Sequence, residues 1–99
     1  MEKRIPHYSL IGIQAQMTSV IAMNLTETAR VGIHGAGMEW EDALTVVRGL
    51  RRQEFYKSMT THYDQRVWQY VYHAYWRDTA LYVKFQKAGE FFVISFKEL

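Results

Sequence analysis

The sequence predicts an α+β domain in which N-terminal helices lie on one face of a twisted, mainly antiparallel sheet. Three observations predict it. Near Arg52 the spacing of apolar residues changes from a helical period to alternation. Four alternating segments follow, at residues 54–61, 67–76, 80–87 and 91–97, with separators short enough to make neighbouring strands antiparallel. The apolar sides of those strands need cover, and the N-terminal helices are the only material available. Ninety-nine residues suffice for one core and not for two, so residues 1–99 are expected to form a single domain.

The first helix is predicted from Ser9, a good N-cap residue, to about Ala22. Leu10, Ile13, Met17, Val20 and Ile21 recur on one side of it. A short second helix follows Thr26 as N-cap, with Ala29 and Ile33 turned inward and Gly35 and Gly37 ending it. The third spans about Glu39 to Gly49. Its first turn carries Glu39, Glu41 and Asp42, where the helix dipole favours acids, and Ala43, Val46, Val47 and Leu50 form its buried stripe.

Alternation sorts the strands into two faces. In the second strand Trp68, Tyr70, Tyr72 and Trp76 oppose Gln69, Val71 and His73. In the third, Leu81, Val83 and Phe85 oppose Tyr82, Lys84 and Gln86; in the fourth, Phe92, Ile94 and Phe96 oppose Val93, Ser95 and Lys97. The first strand sorts less cleanly, with Phe55, Lys57 and Met59 on one side. The uncovered face is expected to present Lys57, Gln69, His73, Tyr82, Lys84, Ser95 and Lys97.

Lys, Tyr and Gln gathered without a carboxylate suit a phosphodiester better than a sugar or a peptide. Charge distribution points the same way. The net charge is only +2, but residues 1–54 carry six basic and six acidic residues, while residues 55–99 carry six basic and four acidic. Three of those four acids (Asp64, Asp78, Glu90) fall at turns and Glu98 near the C-terminus, leaving the strand faces basic. The chain lacks cysteine, which excludes a disulfide framework, a cysteine zinc site and a thiol nucleophile, and fits a reducing compartment. His7, His34, His62 and His73 are scattered without the spacing of a metal-ligand cluster, so neither metal nor cofactor is expected. Met1 to His7 is charged, no signal-peptide h-region follows, and no apolar run has the length of a membrane span, so the chain is expected in the cytoplasm, away from membranes. These features together suggest metal-free cleavage of RNA.

Five blocks carry a family resemblance: Glu2-Lys3-Arg4-x-Pro6-His7, Phe55-Tyr56-Lys57-Ser58-Met59-Thr60-Thr61, Trp68-Gln69-x-Val71-Tyr72, Tyr82-Val83-Lys84 and Val93-Ile94-Ser95-Phe96-Lys97-Glu98. In order and over the whole chain, they resemble the MqsR (motility quorum-sensing regulator) family, toxins of type II toxin–antitoxin pairs. The seven-residue block and the C-terminal block are specific; residues 8–53 match mainly in pattern. The resemblance implies a RelE-like microbial RNase fold and an mRNA interferase that cleaves single-stranded messenger RNA at GC-containing sites, GCU above all. It implies a cognate MqsA-like zinc-binding antitoxin that neutralises the toxin and represses the shared operon, so that operator DNA is contacted only through the complex. The family's active-site Lys, Gln, Tyr and Lys fall on Lys57, Gln69, Tyr82 and Lys97. Alternation had brought the same four to the open face. Two departures stand out. His73 replaces an arginine, which would weaken phosphate binding or supply a titrating group, and His62-Tyr63 replaces a differently ordered pair.

Metal-free cleavage uses the adjacent ribose 2′-OH as nucleophile and needs a base, charge stabilisation and an acid. Lys57 and Lys97 suit the phosphorane oxygens, and Gln69 can orient the ribose or phosphate. Tyr82 can donate a proton or, if nearby lysines lower its pKa, accept one, so Lys57 and Tyr82 are both candidates for the 2′-OH proton. Each has a plainer reading: a solvated strand lysine, a cross-strand packing tyrosine. Tyr56 and Met59 are candidates for stacking on bases or for packing, and His73 and Lys84 for contacting RNA. Arg51-Arg52 and Lys87 can meet phosphates or merely solvent. Trp68, Tyr70, Tyr72 and Trp76 are expected in the core. The competing function is a non-catalytic nucleic-acid-binding regulator acting with the antitoxin on the operon.

Overall fold

A computed structural model describes residues 2–3 and 10–99 of the chain. Helices α1 (Leu10–Gln16), α2 (Glu27–Gly35) and α3 (Trp40–Arg48) follow a two-residue strand β1 (Glu2–Lys3) and precede β2 (Phe55–Thr60), β3 (Trp68–Trp76), β4 (Thr79–Ala88) and β5 (Glu90–Glu98). The sheet order is β1-β2-β3-β4-β5 with every neighbouring pair antiparallel, and the helices cover one face. This is the expected α+β architecture and is compatible with a RelE-like fold. Strand β1, pairing Glu2 with Met59 and Lys3 with Ser58, was not anticipated, because two residues carry no periodicity. Ser9 and His7 lie outside the described residues. Among the described residues no helix is long and apolar enough to cross a membrane.

Local chemistry explains the element ends. The Thr26 hydroxyl accepts from the Ala29 N–H as the N-cap of α2, and Gly37 beyond the helix adopts a φ of 73°. Asp42 accepts from the Glu39 N–H at the start of α3. The first helix stops at Gln16, not Ala22. Ser19 Oγ accepts from the Ala22 N–H and opens a separate 3₁₀ turn at Ile21–Met23, which leaves Ile21 exposed instead of inward. Arg77 and Asp78 both take positive φ (46° and 67°) in the two-residue turn between β3 and β4, as the right-handed strand twist requires.

Two β-bulges set which side chains face the helices. In β2 the extra residue is Tyr56, between Phe55 opposite Tyr72 and Lys57 opposite Val71. Phe55 therefore packs on the core while Lys57 and Met59 face away, so the three do not share a side. In β5 the extra residue is Ile94, between Val93 opposite Phe85 and Ser95 opposite Lys84. Alternation therefore gave the wrong side for Phe92, Val93 and Ile94. Phe91, Val93 and Phe96 enter the core, and the bulge restores Ser95 and Lys97 to the open face.

The free edge of β5 is held by side chains. Gln16 bonds Phe91 in both directions, accepting from its N–H at 2.8 Å and donating to its carbonyl at 2.7 Å, as a neighbouring strand would. Asn24 donates to the same carbonyl, and Thr26 donates to Val93 O and Ile94 O through its N–H and hydroxyl. Helix α2 crosses this strand at Gly32, where a Cβ would overlap the Phe96 carbonyl oxygen and lie 3.3 Å from Lys97 Cβ. The glycine allows the helix to seat against the segment that carries Lys97.

Gly32→Ala is expected to destabilise by about 2–3 kcal/mol, lowering the melting temperature by roughly 10 °C or more. On an open helix the same change would stabilise by up to about 1 kcal/mol, so the sign in a thermal melt tests the contact. Tyr72 packs edge-on against Phe55 and Phe85, and burial pushes its pKa up to about 12 from 10.0. The raised folded-state value means that its stabilisation is intact below pH 10 and is lost as pH rises from there towards 12. Tyr72→Phe should therefore flatten the alkaline decline in stability measured by denaturant titration.

Candidate active site

On the open face, antiparallel register aligns side chains into rows across the strands. Lys57, Val71, Lys84 and Ser95 form a middle row. His73, Tyr82 and Lys97 form the row on one side of it, and Met59, Gln69 and Gln86 the row on the other. Rows lie about 7 Å apart along the strands, and residues within a row about 5 Å apart per strand. Val71 is fully buried although it faces away from the helices, between its row neighbours Lys57 and Lys84, whose side chains have aliphatic stems long enough to cover it.

The register thus brings Lys57, Tyr82, Lys84, Lys97 and His73 into two adjacent rows. Lys97 Nζ lies 5.3 Å and Lys84 Nζ 6.0 Å from the centre of the Tyr82 ring, and Lys57 Nζ lies 5.6 Å from that of Tyr56. Tyr56, turned outward by the β2 bulge, stacks on His73 with centroids 4.2 Å apart, so one of its faces is already occupied. Gln69 is one row away, donating to Gln86 Oε1 at 3.0 Å, and Met59 is beside it.

Electrostatics follow from this geometry. Burial, then the charges of Lys97 and Lys57, depresses the pKa of Lys84, the central lysine. At Tyr82, for which the sequence left both directions open, burial raises the pKa and outweighs the lowering by Lys57. Burial thus favours its neutral, protonated form. Among the described side chains no acid lies in the two lysine rows, although Glu2 is the register partner of Met59 in the third. Asp64 is held below the usual carboxylate range by hydrogen bonds from Arg66; Asp78 sits in the β3–β4 turn, and Glu98 pairs across from Leu81. Three cations and a phenol can bind a tetrahedral anion and stabilise the extra charge of a pentacoordinate one.

Other candidates are placed elsewhere. Lys87 donates to the Gly89 carbonyl and lies 4.6 Å from the Phe91 ring, away from the lysine rows. Arg51 lies 4.0 Å from Glu54, outside the face. Tyr70 and Tyr72 are core residues with Trp68 and Trp76 packed against them, as expected. Among the described residues no three His, Asp or Glu side chains come together as a metal-ligand set. The structure adds Tyr75, 72% exposed and next after His73 on the same face of β3, and Tyr63, 97% exposed at the β2–β3 loop. Continuing the alternation one step would have found Tyr75; nothing in the sequence distinguishes Tyr63 from any loop tyrosine.

A lysine with a depressed folded-state pKa destabilises when charged, and the cost fades as pH rises towards its ordinary value of 10.5. Lys84→Met is expected to raise the melting temperature at neutral pH by a few degrees, equivalent to about 0.5–1 kcal/mol, with the gain shrinking at alkaline pH. Equal melting temperatures at pH 7 would contradict the crowding of the three lysines.

The sequence pattern of the family described as motility quorum-sensing regulator, toxin of MqsA, matches residues 5–98. The chain is also similar to the mRNA interferase toxin MqsR of Escherichia coli (strain K12), with 32% identity over 98 residues, 99% of each protein. Agreement over nearly the whole chain leads to one conclusion: the chain belongs to the motility quorum-sensing regulator family of toxins.

Proposed function

We propose that this protein is the toxin of a type II toxin–antitoxin pair, an mRNA interferase that cleaves messenger RNA in the cytoplasm at GC-containing sites without a metal and is neutralised by a zinc-binding antitoxin. The observation that carries the catalytic reading is the convergence of Lys57, Lys84, Lys97 and the neutral phenol of Tyr82 in two adjacent rows. Family membership and the activity named for the Escherichia coli relative support the same reading.

In this mechanism the ribose 2′-oxygen attacks the adjacent phosphorus. The 2′-O–P bond forms, the P–5′-O bond breaks, and the products are a 2′,3′-cyclic phosphate and a free 5′-hydroxyl. Lys57 and Lys97 stabilise the charge of the phosphorane. Tyr82, whose raised pKa keeps it protonated, donates to the departing 5′-oxygen or to a phosphoryl oxygen. The 2′-OH proton goes to a lysine, either Lys57 or Lys84, of which Lys84 is the one whose surroundings favour the neutral amine. Gln69 orients the ribose next to the scissile phosphate. His73 takes the place of an arginine in the same row as Tyr82 and, stacked on Tyr56, provides a flat surface against the RNA.

The test is incubation of purified protein with mixed-sequence RNA in EDTA, with ends mapped by primer extension. Wild type should cut at GC-containing sites. Lys57→Ala should lose at least about 100-fold in rate while retaining most of its RNA affinity. A 2′-deoxy nucleotide at the cleavage site should abolish the cut, and persistent cutting there would rule the scheme out. A graded, salt-dependent loss of affinity in Lys57→Ala with no cutting by wild type, even in a translating extract, would favour the non-catalytic regulator.

A further inference from the structure

Beyond the phosphate-binding rows, the open face ends in an open pocket of about 570 Å³ between the row of Met59, Gln69 and Gln86 and the β2–β3 loop. This volume is in the range of small-molecule sites. Two features make it a built site. Its loop wall is tied down: Thr61 Oγ1 donates to Asp64 O at 2.6 Å and accepts from Asp64 N–H, Thr61 N–H reaches Val67 O, and Arg66 pairs with Asp64 at 3.1 Å. Its floor holds two half-buried amides joined by a single bond, Gln69 Nε2 to Gln86 Oε1. That bond uses one donor and one acceptor. Among the described residues no other hydrogen bond holds Gln69 Oε1 or Gln86 Nε2, which leaves an acceptor and a donor side by side at the pocket floor.

We infer that this pocket is a base-reading subsite, in which Gln86, positioned by Gln69, helps set which nucleotide flanks the scissile bond. The inference rests on the ribonuclease reading and deepens it. An adjacent donor and acceptor match the hydrogen-bonding edge of a nucleobase, just as a paired glutamine amide reads base edges in other nucleic-acid complexes. The position fits as well: the amide row is one row, about 7 Å, from Lys57 and Lys84, so a nucleotide whose phosphate lies on the lysines can reach it with its base. Met59 offers an apolar wall and the exposed Tyr63 ring a surface for stacking at the rim. Gln69 thereby serves two neighbours, the ribose on one side and the amide pair on the other.

Two variants separate the parts. Gln86→Glu retains the oxygen that accepts from Gln69 and turns the outward donor into an acceptor. Gln86→Leu removes both. Each is assayed on a randomised RNA pool by sequencing of the cut ends, with circular dichroism melts to verify folding. The expected result is a change on the order of ten-fold in base preference at one position flanking the cut for Gln86→Glu, and a flattened preference at that position for Gln86→Leu, other positions remaining as in wild type. Unchanged preferences in both folded variants would overturn the inference and leave the ribonuclease reading standing. A wild-type protein that cuts no RNA, free or translating, would instead overturn the ribonuclease reading on which the inference rests.

Discussion

The antiparallel meander can bury only one of its faces, and everything functional about this chain follows from which residues are on the other. Side chains alternate with a period of two, so a one-residue slip would exchange the core for the lysines. Two bulges hold the register. At Tyr56 the extra residue lets Phe55 pack inward while both Tyr56 and Lys57 face out. At Ile94 it lets Val93 and Phe96 enter the core from the same strand that displays Lys97. Gly32 presses α2 onto that strand, and Gln16, Asn24 and Thr26 satisfy its free edge, so the segment bearing Lys97 is held from both sides.

The open face is the counterpart of that dry core, and it is held at some cost. Three lysines and a tyrosine share a small area around a fully buried valine. Burial, and after it the repulsion of Lys97 and Lys57, depresses the pKa of Lys84, and among the described side chains no carboxylate lies in the lysine rows to relieve it. A fold selected for stability alone would place an acid among them. The arrangement makes physical sense for a site awaiting an anion, whose binding turns the repulsion into attraction. Burial acts on both groups in the same sense, disfavouring charge: it raises the pKa of Tyr82 and lowers that of Lys84.

Much of this was legible in the chain itself. Alternation identified the four long strands to within one or two residues, the α2 and α3 boundaries followed from Thr26, Gly37 and the acids around Glu39, and the core aromatics of β3 were assigned to the correct side. Lys57, Gln69, His73, Tyr82, Lys84, Ser95 and Lys97 do share the open face. The misassignments have definite causes. The apolar pattern continues through Val20 and Ile21 and so extends the predicted first helix beyond α1, while the Ser19 turn that breaks it is a matter of side-chain geometry. Strict alternation puts Phe92, Val93 and Ile94 on the wrong side and groups Phe55 with Lys57, because a bulge leaves no trace in an apolar run.

What the sequence determined by itself is whatever depends on period and local propensity: the element types, the two faces of the sheet, and the residue types on the uncovered one. Tertiary structure decided the rest, because it depends on which strand lies beside which and at what offset. Only pairing places Lys57 in the row of Lys84, and Tyr82 in the row of Lys97, although fifteen or more residues separate the members of each pair along the chain. Only the tertiary structure decides between the two directions open to the Tyr82 pKa, in favour of a rise through burial, since desolvation has no signature in a string of letters. Gln86, placed by alternation on the open face with nothing to mark it, acquires meaning when register sets its amide against that of Gln69 at the pocket floor.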